Sequence, residues 1–290
     1  PDGWINRPFK VAFVDFLSSW NVLRQKTDSS TVLFAVGEVV KVAAMHKTTD
    51  IYGPIPYTRF GLASPVPYDS QEAVYERFFK ELDHAIGILA EFDAHNAGSK
   101  PLEKFDLIYG SDIAKWIRFA NSLKLRLAMR VRYAYPGAQA LAEAAVNNSY
   151  GVIESNADNP TMQSNNALSF TYFNPFYNLY SEEGYNEDRM GASMEAYLVG
   201  FDDPRLSIFF TKGTDNKYHG LRNGHKNGNR FQGKPLLSKP TITQATPYLW
   251  MTAAEVWLLR AEGALLNWQM KGTAKDLYEQ GIRTSLSQHG

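Results

Sequence analysis

The sequence contains no cysteine among its 290 residues, which excludes thiol catalysis, zinc–thiolate sites and disulfide bonds. It has no excess of either charge, because 30 basic residues balance 30 acidic ones. A nucleic-acid footprint or a polybasic membrane patch is therefore not indicated. No apolar run approaches the roughly 20 residues of a membrane-spanning helix, and the opening PDGWINRPFK lacks a signal-peptide core. A chain of this length can fold on its hydrophobic core alone, without metals or disulfides.

Sequence signatures of catalysis are also missing. The six histidines are scattered without HExxH or comparable spacing, and there is no GxSxG, Walker or GxGxxG pattern in a strand–turn–helix context. His219 and His225 share a loop rich in glycine and asparagine, where solvation explains them better than a metal does. We therefore predict no catalytic residue, no metal and no cofactor.

Adjacent carboxylates occur at 182–183, 187–188 and 202–203. Two facing carboxylates could cleave a glycoside, but adjacency in sequence does not make them face each other. Solvated loop charges explain the first two pairs. Before Pro204, Asp202 and Asp203 favour a turn, and Arg205 is expected to pair with one of them.

Residues 111–132 carry the strongest helical pattern. Apolar side chains repeat there every three or four positions, and Phe119, Leu125 and Met129 widen the apolar surface beyond a single stripe. We therefore expect a central helix that packs on two sides. Ser111 is the expected N-terminal cap, with Asp112 in the first turn.

Other periodic segments predict helices over 8–26, from Ser29 or Ser30 to about 50, from about 71 to 92, and over 137–147, 192–199, 252–267 and 273–287. The predicted fold class is all-α, with tetratricopeptide-like helix pairs that form a scaffold and a long loop-rich binding region. Within one domain over 1–290 we expect a helical scaffold (8–150), a loop-rich variable region (151–246) and a C-terminal helix pair (247–290). The helical pattern is still running where the chain stops, and the chain does not open on Met, so we expect a fragment trimmed at both ends.

Aromatic residues crowd one loop-like stretch, interleaved with asparagine and acidic residues: Phe170, Tyr172, Phe173, Phe176, Tyr177, Tyr180 and Tyr185. Sugar rings offer flat C–H faces to aromatic rings and hydroxyls to polar side chains, so this mixture is typical of a glycan-binding platform. The alternative is that these rings only anchor the loop to the helices. The turn at Tyr57, Arg59 and Phe60 is a second candidate wall of the glycan-binding site. The candidate glycan-binding residues are Tyr57, Arg59, Phe60, Tyr172, Phe173, Tyr177, Tyr180 and Tyr185.

Seven short segments share their order and spacing with one protein family. They are DIYGPIPY (50–57), YDSQEAVY (68–75), DLIYG (106–110), NSLKLRLAMR (121–130), DPRL (203–206), MTAAE (251–255) and YEQGI (278–282). On these segments, over roughly residues 30–290, the chain resembles the SusD/RagB family of nutrient-binding outer-membrane lipoproteins. The segments are scaffold motifs. We interpret Trp116, which follows DLIYG with Lys115, and Asn121 and Arg130 of the next segment as structural.

The resemblance implies a lipid-anchored protein at the outer-membrane surface, whose anchor is absent from this chain. It further implies a SusC-like TonB-dependent barrel transporter as partner and an oligosaccharide or other nutrient as ligand, captured and passed on without chemistry. Two alternatives stay open: a helical-repeat protein-interaction module without a small ligand, and an α-helical glycosidase.

Overall fold

The structure is a computed structural model that describes residues 2–163, 174–181, 184–224 and 233–289. The described residues are mostly helical, which confirms the predicted all-α class and its tetratricopeptide-like helix pairs. Contacts divide the chain into two compact units: residues 1–160 with 251–284, and residues 161–250 with 285–290. The three segments expected within a single domain remain a prediction.

The helices lie close to their predicted positions. They are α1 (Asp2–Lys10), α2 (Leu17–Lys26), α3 (Val32–Tyr52), α4 (Gln71–His95), α5 (Ile113–Arg130), α6 (Ala138–Asn147), α7 (Tyr177–Tyr180), α8 (Ala192–Gly200), α9 (Leu206–Phe209), α10 (Ala253–Leu265) and α11 (Ala274–Leu286). A π-helical turn at Val11–Phe16 joins α1 to α2, so the first helical segment begins at Asp2 instead of residue 8 and contains Pro8.

Helix α5 is the centre of the first unit, as predicted. It packs against α4, α6 and α10, and side chains from both of its predicted apolar faces are buried. Trp116 and Phe119 are 1% and 0% exposed, and full burial of such a side chain contributes roughly 1.5–3 kcal/mol. The two-sided packing follows from an apolar surface too wide for one neighbour.

The cap of α5 differs from the prediction. Asp112 is the N-cap, because its carboxylate accepts a hydrogen bond from the Lys115 backbone N–H at 3.0 Å. Ser111 instead has a φ of 67°, and its hydroxyl accepts from the Leu102 backbone N–H at 2.9 Å. Helix α3 shows a similar shift, since Thr31, and not Ser29 or Ser30, caps it.

The DLIYG motif is a structural turn that leads into α5. One oxygen of Asp106 accepts from the Trp116 indole N–H and from the Ser111 backbone N–H, both at 2.7 Å, and its other oxygen accepts from the Ile108 backbone N–H at 2.9 Å. On α5 itself, Asn121 donates to the Gly151 carbonyl at 2.8 Å. The structural interpretation of Trp116 and Asn121 is therefore confirmed.

The second unit consists of short elements tied by backbone hydrogen bonds, in agreement with the predicted loop-rich region. Its two-residue strands β1 (Thr161–Met162) and β2 (Tyr248–Leu249) pair antiparallel, with Thr161 opposite Leu249. Gly213 lies where a Cβ atom would come within 1.9 Å of the Leu236 carbonyl oxygen. Only glycine allows the two segments to approach so closely.

Candidate ligand-binding surface

The first candidate wall, the turn at 57–60, combines one buried and one exposed side chain. Tyr57 is 6% exposed; its hydroxyl donates to Glu81 Oε2 at 2.5 Å, and its ring meets Phe78 edge-on at 5.0 Å. Burial raises the pKa of Tyr57 well above its ordinary value. Its ring therefore belongs to the core, whereas Arg59 is exposed and Phe60 is half-buried.

Asp69 holds this turn rigid. Its carboxylate accepts hydrogen bonds from the backbone N–H groups of Tyr57 and Thr58, at 2.9 and 2.7 Å, and from the Thr58 hydroxyl at 2.6 Å. Burial alone would raise the pKa of Asp69, but these hydrogen bonds lower it below its usual value. A turn fixed in this way presents Arg59 and Phe60 with little conformational freedom.

Beneath Tyr57 lies a buried charged cluster. Lys41 Nζ is 2.7 Å from Glu81 Oε1 and 4.1 Å from the centroid of the Trp20 ring. Glu38, 3% exposed, accepts from His84 at 2.6 Å, and burial raises its pKa. The cavity lined by Lys41, Glu38 and Glu81 measures about 60 Å³, against the roughly 300 Å³ or more of a ligand pocket. The two buried carboxylates therefore have no room for a sugar ring between them.

The second candidate wall is the aromatic segment of the second unit. Tyr185 is 57% exposed, Tyr177 is half-buried, and Tyr180 is 7% exposed with its pKa raised by burial. Tyr177 and Tyr180 meet edge-on at 6.0 Å. Both proposed roles are therefore present in one stretch: Tyr180 anchors it, and Tyr185 faces solvent. Tyr172 and Phe173, with Phe170, lie outside the described residues.

Two backbone clamps hold this segment in place. Asn174 donates through its backbone N–H to the Gln244 carbonyl at 3.0 Å and through its side chain to the Thr246 carbonyl at 3.1 Å. The Tyr185 backbone N–H donates to the Asn178 carbonyl at 2.7 Å, which folds the chain back after α7. The exposed ring of Tyr185 therefore projects from a tied turn.

Helix α8 carries an aromatic pair that the sequence analysis missed. Tyr197 and Phe201 are 67% and 79% exposed; their ring centroids are 6.2 Å apart and their planes differ by 14°. Residues four apart on a helix share a face, but the predicted helix ended at residue 199, so Phe201 lay outside it and the pair was not recognised. The two rings are near-parallel and stacked, and both are exposed. We call this pair, at the C-terminal end of the helix, the aromatic platform of α8 (Tyr197 and Phe201).

The platform rests on a well-anchored helix. Leu198 is 6% exposed, and Glu195 accepts from the Gly220 backbone N–H at 2.8 Å. After α8, Asp203 and Arg205 form an ion pair at 2.6 Å, as predicted. Hydrogen bonds from Arg205 lower the pKa of Asp203 to about 2. This pair holds the turn at the C-terminal end of the platform.

The other polar candidates have structural partners or lie outside the description. His219 Nε2 is 2.8 Å from Asp215 Oδ2, whereas His225 and the 182–183 pair are outside the described residues. Within those residues, no three His, Asp or Glu side chains are arranged to hold a metal ion. In the same ranges, no helix has both the length and the apolarity needed to cross a membrane.

The family model described as "SusD-like: Susd and RagB outer membrane lipoprotein" matches residues 1–290. Comparison with curated proteins gives no match. Solved structures do match. A SusD-like protein from Bacteroides thetaiotaomicron is 32% identical with a TM-score of 0.90; the match covers 100% of this chain and 60% of that one.

Two further structures are similar over almost the whole chain. A SusD homolog from Bacteroides thetaiotaomicron is 36% identical, with a TM-score of 0.87 over 99% of this chain and 58% of that one. A chitin-binding SusD homolog from Flavobacterium johnsoniae is 33% identical, with a TM-score of 0.88 over 97% of this chain and 58% of that one. The chain therefore spans less than two thirds of the length of these relatives.

Proposed function

The chain belongs to the SusD-like family of outer membrane lipoproteins, and from that premise we propose that it binds oligosaccharides at the cell surface and passes them to a TonB-dependent transporter. It captures and releases its ligand without changing it. The observation that carries this proposal is the aromatic platform of α8, two exposed and near-parallel rings on a fixed helix.

Two exposed, near-parallel aromatic rings suggest a surface that a ligand covers. An aromatic side chain that stays in water forgoes the favourable free energy of burial, which a bound ligand can restore. Exposed apolar patches therefore mark sites of interaction. Sugar rings fit such a surface because their C–H faces are apolar while their hydroxyls stay hydrated at the rim. Each hydrogen bond contributes a net free energy of only about 1 kcal/mol, so stacking must supply much of the affinity.

The chitin-binding homolog supports a carbohydrate as ligand, since it is 33% identical and covers the same fold. Within the second unit, we propose that Tyr197, Phe201, Tyr177 and Tyr185 contact the glycan. Tyr180 is buried and supports Tyr177, whose ring it meets edge-on. Arg59 and Phe60 in the first unit remain predictions, as do Tyr172 and Phe173.

The burial of Tyr57 argues against direct stacking on its ring, because a ligand could reach it only by displacing core contacts. Its hydroxyl is already bound to Glu81. We assign Tyr57 the role of holding the turn that presents Arg59 and Phe60.

Surface attachment through a lipid anchor outside residues 1–290, and a SusC-like barrel as partner, belong to the same proposal and rest on the family. For the glycosidase alternative, Glu38 and Glu81 enclose too little space for a sugar and Asp203 is paired with Arg205. These contacts support binding without hydrolysis.

The test is a calorimetric and affinity-gel screen of the 290-residue chain against neutral and acidic oligosaccharides and polysaccharides, including chitin oligosaccharides. Each oligosaccharide is analysed by mass spectrometry after incubation. We expect binding to at least one glycan, which is recovered intact. A shortened product would establish the glycosidase alternative. A folded chain that retards no glycan would contradict the proposal and favour the protein-interaction module.

A further inference from the structure

A cavity of about 480 Å³ in the second unit is lined by four basic side chains. They are Arg189, Lys212, Lys234 and Lys239. The described residues that line it include no aspartate or glutamate; the remaining polar members are Asn186, Thr211 and Thr214. This volume lies within the range of a small-ligand site. The chain as a whole is neutral, so four cations around one cavity are a local feature.

The walls of the cavity are tied together by backbone hydrogen bonds. The Thr211 N–H donates to the Lys239 carbonyl at 2.8 Å, and the Thr214 N–H donates to the Pro235 carbonyl at 3.1 Å. The segment that carries Arg189 is joined to the same wall, because the Met190 N–H donates to the Ser238 carbonyl at 2.9 Å. Three segments distant in sequence therefore form one frame, and the basic residues start from fixed backbone positions.

One of the four cations is also oriented by its neighbours. Arg189 donates through Nη2 to Asn186 Oδ1 at 2.7 Å and through Nη1 to the Asp188 carbonyl at 2.8 Å. Lys212 Nζ lies 5.7 Å from the centroid of the Tyr218 ring, and Lys234 is half-buried. An anion placed in the cavity would meet several donors at once, and charge-assisted hydrogen bonds are the strongest kind.

We propose that this cavity binds the anionic substituent of an acidic glycan, either a carboxylate or a sulfate ester. This inference rests on the proposed function and narrows it to a ligand class. Four cations around a cavity whose described lining includes no carboxylate would favour a charged sugar over its neutral counterpart, because only the charged ligand gains charge-assisted hydrogen bonds there.

The test compares matched pairs of polysaccharides that share a backbone and differ in charge. Polygalacturonate against its methyl ester tests a carboxylate, and dextran sulfate against dextran tests a sulfate ester. The protein variants are the double substitution Lys212→Gln with Lys234→Gln, and the control Lys217→Gln, which removes one exposed charge of the same unit outside the cavity. Affinity is measured at about 150 mM salt, where exposed charges farther apart than about 8 Å are largely screened.

We expect at least one charged polysaccharide to bind tenfold or more tightly than its uncharged partner. A lost charge-assisted hydrogen bond weakens affinity by about tenfold or more, so the double variant should erase this preference. The Lys217→Gln control should keep the preference for the charged polysaccharide, and neither variant should change the affinity for neutral glycans.

Three outcomes would overturn the inference. If charged and neutral partners bind equally, the chain still binds glycans and only the anionic preference is wrong. If Lys217→Gln weakens binding as much as the double variant, the attraction is a general surface effect. If no glycan of the full panel binds, the proposed function falls together with this inference.

Discussion

Removing both rings of the aromatic platform, with Tyr197→Ala and Phe201→Ala, should weaken glycan binding while leaving the fold intact. An aromatic side chain presents about 200 Å² of surface, and these residues are 67% and 79% exposed. About 130 and 160 Å² are therefore open to solvent, and a stacked sugar covers about half, or roughly 150 Å² in total. At about 25 cal/mol per Å² this area is worth at most about 3.8 kcal/mol.

The measurable loss should be smaller than this limit, because association costs and the remaining alanine surface reduce it. We expect about 2 kcal/mol, or roughly a thirtyfold increase in Kd. Stability should change little, since the two rings lose only their mutual contact of about 0.5–1.5 kcal/mol. For a unit or chain of this size that corresponds to a Tm change of at most about 6 °C.

Two further variants make this result interpretable. Tyr68→Ala with Phe105→Ala removes two aromatic side chains of comparable exposure, 63% and 74%, in the first unit, and should leave Kd unchanged. Tyr180→Ala removes a ring that is 7% exposed and should cost about 3–5 kcal/mol of stability, as truncations of buried aromatics do. Calorimetry with the glycan found by screening gives Kd, and thermal unfolding gives Tm. A Kd changed less than threefold in the platform variant would refute the argument, and so would an equal loss in the control pair.

Two other predictions concern the buried polar groups of the first unit. Replacing Lys41 by Met leaves Glu81, 3% exposed, without its buried cation, so the free energy of unfolding should fall by about 3 kcal/mol. Arg77 pairs with the same carboxylate but is 51% exposed, so Arg77→Gln should cost at most about 1 kcal/mol. Urea titration checks both, and equal losses would contradict the burial argument. His46 is 5% exposed, and burial lowers its pKa to about 4. Between pH 4 and 6.5 the imidazole is therefore neutral in the folded chain but protonated in the unfolded chain. Its stabilising contribution should be complete above pH 6.5 and lost as the pH falls toward 4. The Tm difference between the parent chain and His46→Gln should therefore shrink over that window, whereas a difference independent of pH would show that His46 titrates alike in both states.

The helical part of the fold was predictable because its signals are local. Helix α4 begins after Ser70, whose hydroxyl accepts from the Ala73 backbone N–H, and α10 begins after Thr252 in the same way. The capping residue lies within one turn of the helix start, and the apolar repeat lies in the helix itself. A single segment therefore carries the information that defines each helix. The exchange of Ser111 for Asp112 as the cap of α5 shows the limit: the backbone reversal at Ser111 depends on Asp106 and Leu102, which precede the helix.

The candidate site was predictable only as a region. Tyr57 and Tyr185 both stand in polar, turn-like sequence, yet the first is core and the second faces solvent. What separates them is the partner: Tyr57 meets Glu81, 24 residues away along the chain, and no local pattern reports such a contact. The platform on α8 was missed for another reason, because the predicted helix stopped at residue 199 and Phe201 follows the last helical residue.

The amino-acid sequence by itself determined the all-α class, the positions of the long helices and the family, because periodicity, caps and short motifs depend on neighbouring residues. Only the tertiary structure decided which aromatic rings are exposed and which basic residues share a cavity. Arg189, Lys212 and Lys234 come from three separate segments, and backbone hydrogen bonds between those segments bring them together. Burial and charge clustering are properties of distant contacts, and these form only when the chain has folded.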